Sequence, residues 1–226
     1  MRADHVVNEM KKDAPKEPVF NAPWPAVGLS GLILALYALQ SHFDTRDVVP
    51  YAFGLNPTLL FSQGSYDTLV TSMFLHGSWT HAGFNAFVAL VAASALVRAF
   101  GTNGRSVALF FIYYLLGGVL TGLIYCLLFP QQNILIIGAS GAISTILGAA
   151  IRIGKGRLSG TESRWVAGVT IFWIVMNGFY VAAAMQQGDI AVVWQLHIIG
   201  FLIGLFSIGV WMRLFRPQFF RAPDVN

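Results

Sequence analysis

The sequence predicts an all-α polytopic membrane protein, a bundle of six transmembrane helices with both termini in the cytosol. Three features carry this expectation: long apolar runs, a shortage of charge, and a one-sided placement of Lys and Arg. Hydrophobic residues make up 56% of the chain and charged residues only 11%, where a soluble domain carries roughly a quarter charged. Mean hydropathy is +0.64. The bilayer is therefore the expected solvent, and its hydrocarbon forces spanning segments to satisfy their own backbone as helices.

Residues 1–25 are polar and contain Pro15, Pro18, Pro23 and Pro25 among Lys11, Lys12 and Lys16; no apolar stretch follows in the manner of a signal peptide, so a cytosolic tail is expected. Six runs then approach the ~20 apolar residues a spanning helix needs: 26–43, 79–100, 106–129, 135–153, 164–187 and 190–215. Together they form one membrane domain over 26–215, followed by a short cytosolic tail over 216–226. The connector 44–78 is long and semi-apolar (Leu59, Leu60, Phe61, Leu69, Val70, Met73, Phe74) and is expected to lie in the outer interface. Orientation follows from the cations: with six spans, every Lys and Arg except Arg46 falls on one side, which places that side in the cytosol. A scattered basic excess of this kind reads as topology and not as a nucleic-acid surface. Cys126, alone in an apolar run, reads as a packing residue.

All ten acidic residues lie outside the expected spans. No intramembrane carboxylate pair, HExxH zinc motif or acidic proton relay is therefore available. The polar groups left within or beside the spans are His42, His76, His81, Asn85, Ser140 and His197, with small hydroxyls such as Ser144. The predicted topology has the second, fourth and sixth helices all entering from the outer face. His81 and Asn85, Ser140, and His197 then fall within roughly 10 Å of that face at 1.5 Å per residue. Ser140, Ser144 and Gly148 form one small-residue seam and His197, Gly200 and Gly204 another, so the two helices can approach closely.

Packed seams would let a neutral imidazole reach a hydroxyl, with Ser140 as nucleophile and His197 as general base and then acid. His81 and Asn85, one turn apart, could donate to an oxyanion beside the Ser140 amide. Taken singly, Ser140 reads as helix packing, and His81 with Asn85 as interhelical glue. Their common depth favours chemistry. His76 reads first as a support of the outer connector, and His42 has no assigned role.

The run from Thr71 to Asn85, with His76, His81 and Asn85 in a two-histidine and HxxxN pattern, resembles the second-helix signature of the rhomboid family of intramembrane serine proteases. Gly138-Ala139-Ser140-Gly141 resembles the family's GxSG motif, and His197-Ile198-Ile199-Gly200 with Gly204 its HxxG continuation. The resemblance covers residues 26–215. It implies a six-helix core, a metal-independent and cofactor-free Ser140–His197 dyad, oxyanion donors at His81 and Asn85, and supporting positions at His76, Gly138, Gly141 and Gly200. It also implies a lateral gate beside Phe84 and single-span membrane proteins as substrates drawn from the lipid bilayer. The chain departs from the family at Ser144, where some members carry a tyrosine, and at Leu196, where a small residue is usual. A Trp-Arg pair of the first loop is missing.

The expected activity is cleavage of transmembrane segments near the outer face, in a multi-pass protein of a bacterial inner membrane. The alternatives are a catalytically inactive rhomboid-like protein that binds membrane clients, and a haem protein using His81 and His197 as ligands.

Overall fold

The computed structural model describes residues 22–44, 46–153, 171, 173, 175 and 193–217. Helix α1 spans Trp24–Phe43, with a proline in its first turn where no backbone donor is needed. The connector after α1 then folds into three short helices, α2 (Val48–Phe53), α3 (Pro57–Ser62) and α4 (Thr68–Thr71), and a 3-10 turn, Ser72–Phe74. The long helices α5 (Trp79–Phe100) and α6 (Gly104–Leu128) follow, then the shorter α7 (Ser140–Ile153) and finally α8 (Trp194–Phe215). Side chains cap the starts: the Asn56 oxygen accepts from the Thr58 and Leu59 amides of α3, Ser78 from His81 in α5, and Asn103 from Ser106 in α6.

Among the described residues α1, α5, α6 and α8 are long and apolar enough to cross a membrane, and α7 is a shorter apolar helix. Their packing has the pattern of a lipid-solvated bundle. Helix α5 turns Ala82, Ala86, Ala89, Ala93, Leu96 and Phe100 inward at alternating four- and three-residue steps, while Phe87 and Val91 point out. Small residues face neighbouring helices, because close van der Waals approach replaces the hydrophobic effect as the force between helices in lipid. Connector helix α2 also turns Val48, Tyr51 and Phe53 outward, as a segment lying in an interface does.

The closest helix pair is α7 with α8. A Cβ at Gly204 would strike the Thr145 carbonyl and come 2.9 Å from the Ala149 nitrogen, and one at Gly148 would strike the Phe201 carbonyl and come 3.1 Å from the Leu205 nitrogen. The two small-residue seams therefore do face each other. At the end of the bundle opposite Ser140, Arg216 donates from its guanidinium to Ser106 Oγ, tying the end of α8 to the first turn of α6. Tyr113 braces the same pair of helices midway, its hydroxyl 2.8 Å from Ser207 Oγ.

Two expected boundaries are corrected. The fourth span begins at Ser140 and not at 135, because the apolar residues before it leave the helix to pair with the connector. Leu55 and Ile136 exchange backbone bonds of 2.9 and 2.8 Å. The sixth helix begins at Trp194 and not at 190. The expected fifth span, 164–187, and the two polar tails lie outside the described residues, apart from Ile171, Trp173 and Val175 in the former and residues 22–25, 216 and 217 beside the latter. Trp173 stacks on Phe201 of α8 with ring centres 6.1 Å apart.

Replacing Gly204 by alanine is expected to push α8 away from the Thr145 carbonyl and cost about 3 kcal/mol. Thermal unfolding of the purified protein in detergent measures this.

Candidate active site

An extended strap, residues 133–138, runs into α7, and three contacts hold it against the connector between α1 and α5. Asn56 Nδ2 donates to Asn133 Oδ1 at 2.8 Å, Leu55 pairs with Ile136, and the Gly138 amide donates to the Ser72 carbonyl at 2.9 Å. Gly138 then turns with φ +122°, a conformation that favours glycine. Helix α7 starts immediately, with Ile143 N donating to Ala139 O at 2.9 Å. Ser140 is thus the first residue of its helix. The amides of Ser140, Gly141 and Ala142 belong to the turn that has no intrahelical acceptors.

The absent side chain of Gly138 leaves room for two others. A Cβ there would lie 2.9 Å from Cε1 and Nε2 of His81 and 3.6 Å from Nδ2 of Asn85. Both residues project from the first two turns of α5, started by the Ser78 cap. Asn85 is 3% exposed, and its Nδ2 has no hydrogen-bond partner among the described residues. A buried amide donor without an acceptor costs about 1–3 kcal/mol.

The third wall comes from α8. Its Leu196 Cδ2 would meet a Cβ on Gly141 at 2.8 Å, and a Cβ on Gly200 would strike the Gly141 carbonyl and come 3.2 Å from Ser144 Cβ. His197 lies on the turn between Leu196 and Gly200, and both of those residues press on the residue that follows Ser140. His197 and His76 each lie within electrostatic range of His81.

The structure thus brings Ser140, Gly138, Gly141, His81, Asn85, Gly200 and the His197 turn to one end of the bundle, with His76 behind His81. Phe84 is about half exposed on α5, and the span expected to pair with it lies outside the described residues. Ser144, buried at 2%, packs toward Gly200. A cavity of about 20 Å³ adjoins the site between Met73, Gly118, Gly138, Gly141 and Leu196, enough for one water.

Sequence reading missed Gln40. Its side-chain amide spans both backbone groups of His76, donating to the carbonyl at 2.8 Å and accepting from the amide at 3.1 Å. An amide side chain near the end of an apolar run was the available signal. Thr121 was also missed; its hydroxyl donates to the Gly117 carbonyl at 2.6 Å, and its methyl would meet a Cβ on Gly141 at 3.1 Å.

His76 is 1% exposed. Its ring lies edge to face with Tyr37 at 6.2 Å and with His81 at 5.1 Å. Burial, and secondarily the neighbouring His81, pull its imidazole down from 6.5 to about 3.

Compared with known families, the chain matches the Rhomboid domain over residues 63–214. A comparison with curated proteins finds no match.

Two outcomes follow for the site. Gly138→Ala is expected to lose about 1–3 kcal/mol through its backbone alone, whereas Gly83→Ala, with nothing within 4 Å of the new methyl, should hold or gain stability; thermal unfolding compares them. An unfolded histidine takes a proton near 6.5, and folded His76 does so only near 3. The unfolded state therefore binds more protons between those values. His76's contribution to stability is full above pH 6.5 and lost as the pH falls toward 3. Unfolding scans across that range should show a shallower acid slope for His76→Phe.

Proposed function

Because the chain belongs to the rhomboid family, we propose that it is an intramembrane serine endopeptidase that cleaves transmembrane segments of single-span membrane proteins near the outer face. One observation carries the reading. Gly138 holds the His81 ring and the Asn85 amide two residues before a serine that begins its helix, and the Leu196–Gly200 turn of α8 closes on the residue after it. Nucleophile, base and oxyanion donors come from three separate elements, and the family membership gives their union a purpose.

In this reading Ser140 Oγ attacks the scissile carbonyl carbon while His197 takes the hydroxyl proton. The carbonyl oxygen becomes an oxyanion and finds the His81 and Asn85 side chains together with the free amides at the start of α7. The unspent Nδ2 of Asn85 supports that role, since a donor left without a partner in the resting protein can bind charge as it develops. Collapse breaks the C–N bond, and the departing amine takes the proton from His197. Water then attacks the acyl-serine with His197 as base, the acyl C–Oγ bond breaks, His197 returns the proton to Ser140 Oγ, and the second product leaves as a carboxylic acid.

Substrate must give up helical structure at the cut, because an intact helix shields its carbonyls and uses them in hydrogen bonds. In this reading the small cavity bounded by Met73 and Leu196 lies beside the bond being cut and favours a small side chain there. The expected setting is a bacterial inner membrane, with both termini in the cytosol.

The deciding experiment incubates the purified protein in detergent with a model single-span substrate, without metal or ATP. Wild type should cleave it and bind a fluorophosphonate or isocoumarin probe, and Ser140→Ala should do neither; equal cleavage by that variant ends the proposal. Asn85→Ala should lower kcat by about 10²–10³-fold. Leu196→Ala should widen acceptance to larger residues at the cut, read from a substrate series running from Gly and Ala to Leu and Phe.

A further inference from the structure

His76 is a buried titratable side chain that the steps above do not use. Both its ring nitrogens lack a hydrogen-bond partner among the described residues, although the residue is 1% exposed. For packing alone this is a poor choice, because a hydrocarbon ring would fill the space without burying two unsatisfied polar atoms. Its placement is nevertheless tightly controlled. Gln40 bonds both its backbone groups, and Tyr37 of α1 and His81 of α5 each lie edge to face with its ring.

The separation of the two imidazoles is informative. An N–H···N bond of about 3 Å between rings whose nitrogens lie roughly 1.2 Å from their centres puts the centres at most about 5.4 Å apart. The His76 and His81 centres are 5.1 Å apart with planes inclined at 71°. Rotation of a ring about its own bond can therefore bring a His76 nitrogen onto His81 without moving either centre. His81 in turn presents Nε2 toward the space that Gly138 leaves open.

We propose that His76 is a positioning residue: its ring N–H donates to Nδ1 of His81 and so fixes His81 in the form that carries its proton on Nε2, facing Gly138 and the start of α7. The two nitrogens of an imidazole are coupled in this way, the bond made by one deciding which carries the proton. His76 stays uncharged at neutral pH and keeps one N–H to give, because burial depresses its basicity. A donor behind a donor also strengthens the outer one, since hydrogen bonds in a chain polarise each other. This assignment rests on the reading of His81 as an oxyanion donor.

The test compares full-length wild type, His76→Phe and His76→Gln in detergent micelles, with ¹⁵N-labelled histidine. In wild type the His81 signals should report Nε2–H with Nδ1 as acceptor, and in His76→Phe a mixture of tautomers. The same variant should lose about ten-fold in kcat with KM within about two-fold, and its unfolding midpoint should be little changed, because the bond to His81 is lost while a buried nitrogen without a partner is removed. His76→Gln, which keeps a donor, should retain the wild-type tautomer and most of kcat.

An unchanged His81 tautomer in His76→Phe, a wild-type kcat, or a kcat loss that merely follows a lower unfolding midpoint overturns the proposal. Should His76→Phe not fold, His76→Gln decides, and a tautomer mixture in it counts against the relay. If wild type shows no Ser140-dependent cleavage, the protease reading fails, while the ¹⁵N comparison still decides whether His76 orients His81.

Discussion

The backbone contact between α7 and α8 is the constraint on which the rest of the molecule depends. Where Gly200 and Gly204 meet Gly141 and Thr145, main chain lies against main chain with no side chain between. In lipid, where apolar surface gains nothing by leaving its solvent, such contact supplies the dispersion energy that holds helices together. It also removes freedom. Two helices locked at this distance can slide past each other only by lifting a carbonyl over an α-carbon, so the height of His197 relative to Ser140 is set by Gly200 and Gly204, about one and two turns further along α8. Stability and alignment come from the same atoms.

The opposite wall of the site is built by another means. The strap at 133–138 is apolar enough to be helix, yet its backbone is engaged elsewhere, with Leu55, with Ser72 and through Asn133 with Asn56. Pairing with the connector ends the helix early and presents Ser140 at its first turn. Gly138 makes the change of direction and, by lacking a side chain, admits His81 and Asn85. Asn85 Nδ2 and both nitrogens of His76 are buried here without a hydrogen-bond partner among the described residues, as are Thr58 Oγ1, Trp211 Nε1 and Arg216 Nε away from the site. The hydroxyls of Thr121 and Thr145, by contrast, return their protons to carbonyls in the preceding turn.

Much of this was legible in the sequence. The spacing of Ser140, Ser144 and Gly148 against His197, Gly200 and Gly204 announced a close helix pair, because small residues at helical intervals leave a groove whatever surrounds them. Hydropathy placed α1, α5, α6 and α8 within a few residues, since the bilayer permits apolar backbone few alternatives. The beginning of α7 was misplaced because hydropathy scores Ile134, Leu135, Ile136 and Ile137 by their side chains, while their conformation is decided by a backbone partner some eighty positions earlier. The Gln40 bridge was illegible for a similar reason. One amide near a helix end does not reveal which main-chain groups it will meet, and its partner at His76 is 36 residues away.

That bridge bears on where the functional unit ends. The matched family segment begins at residue 63, beyond α1. Yet Tyr37 packs on His76 and Trp79, and Gln40 satisfies both main-chain groups of His76. A version trimmed to the matched segment would keep every residue assigned to the chemistry, but it would open a polar wound beneath His81 where the first helix had been. For anyone choosing expression boundaries, the first helix is part of the folded unit around His76 on grounds that sequence similarity does not register.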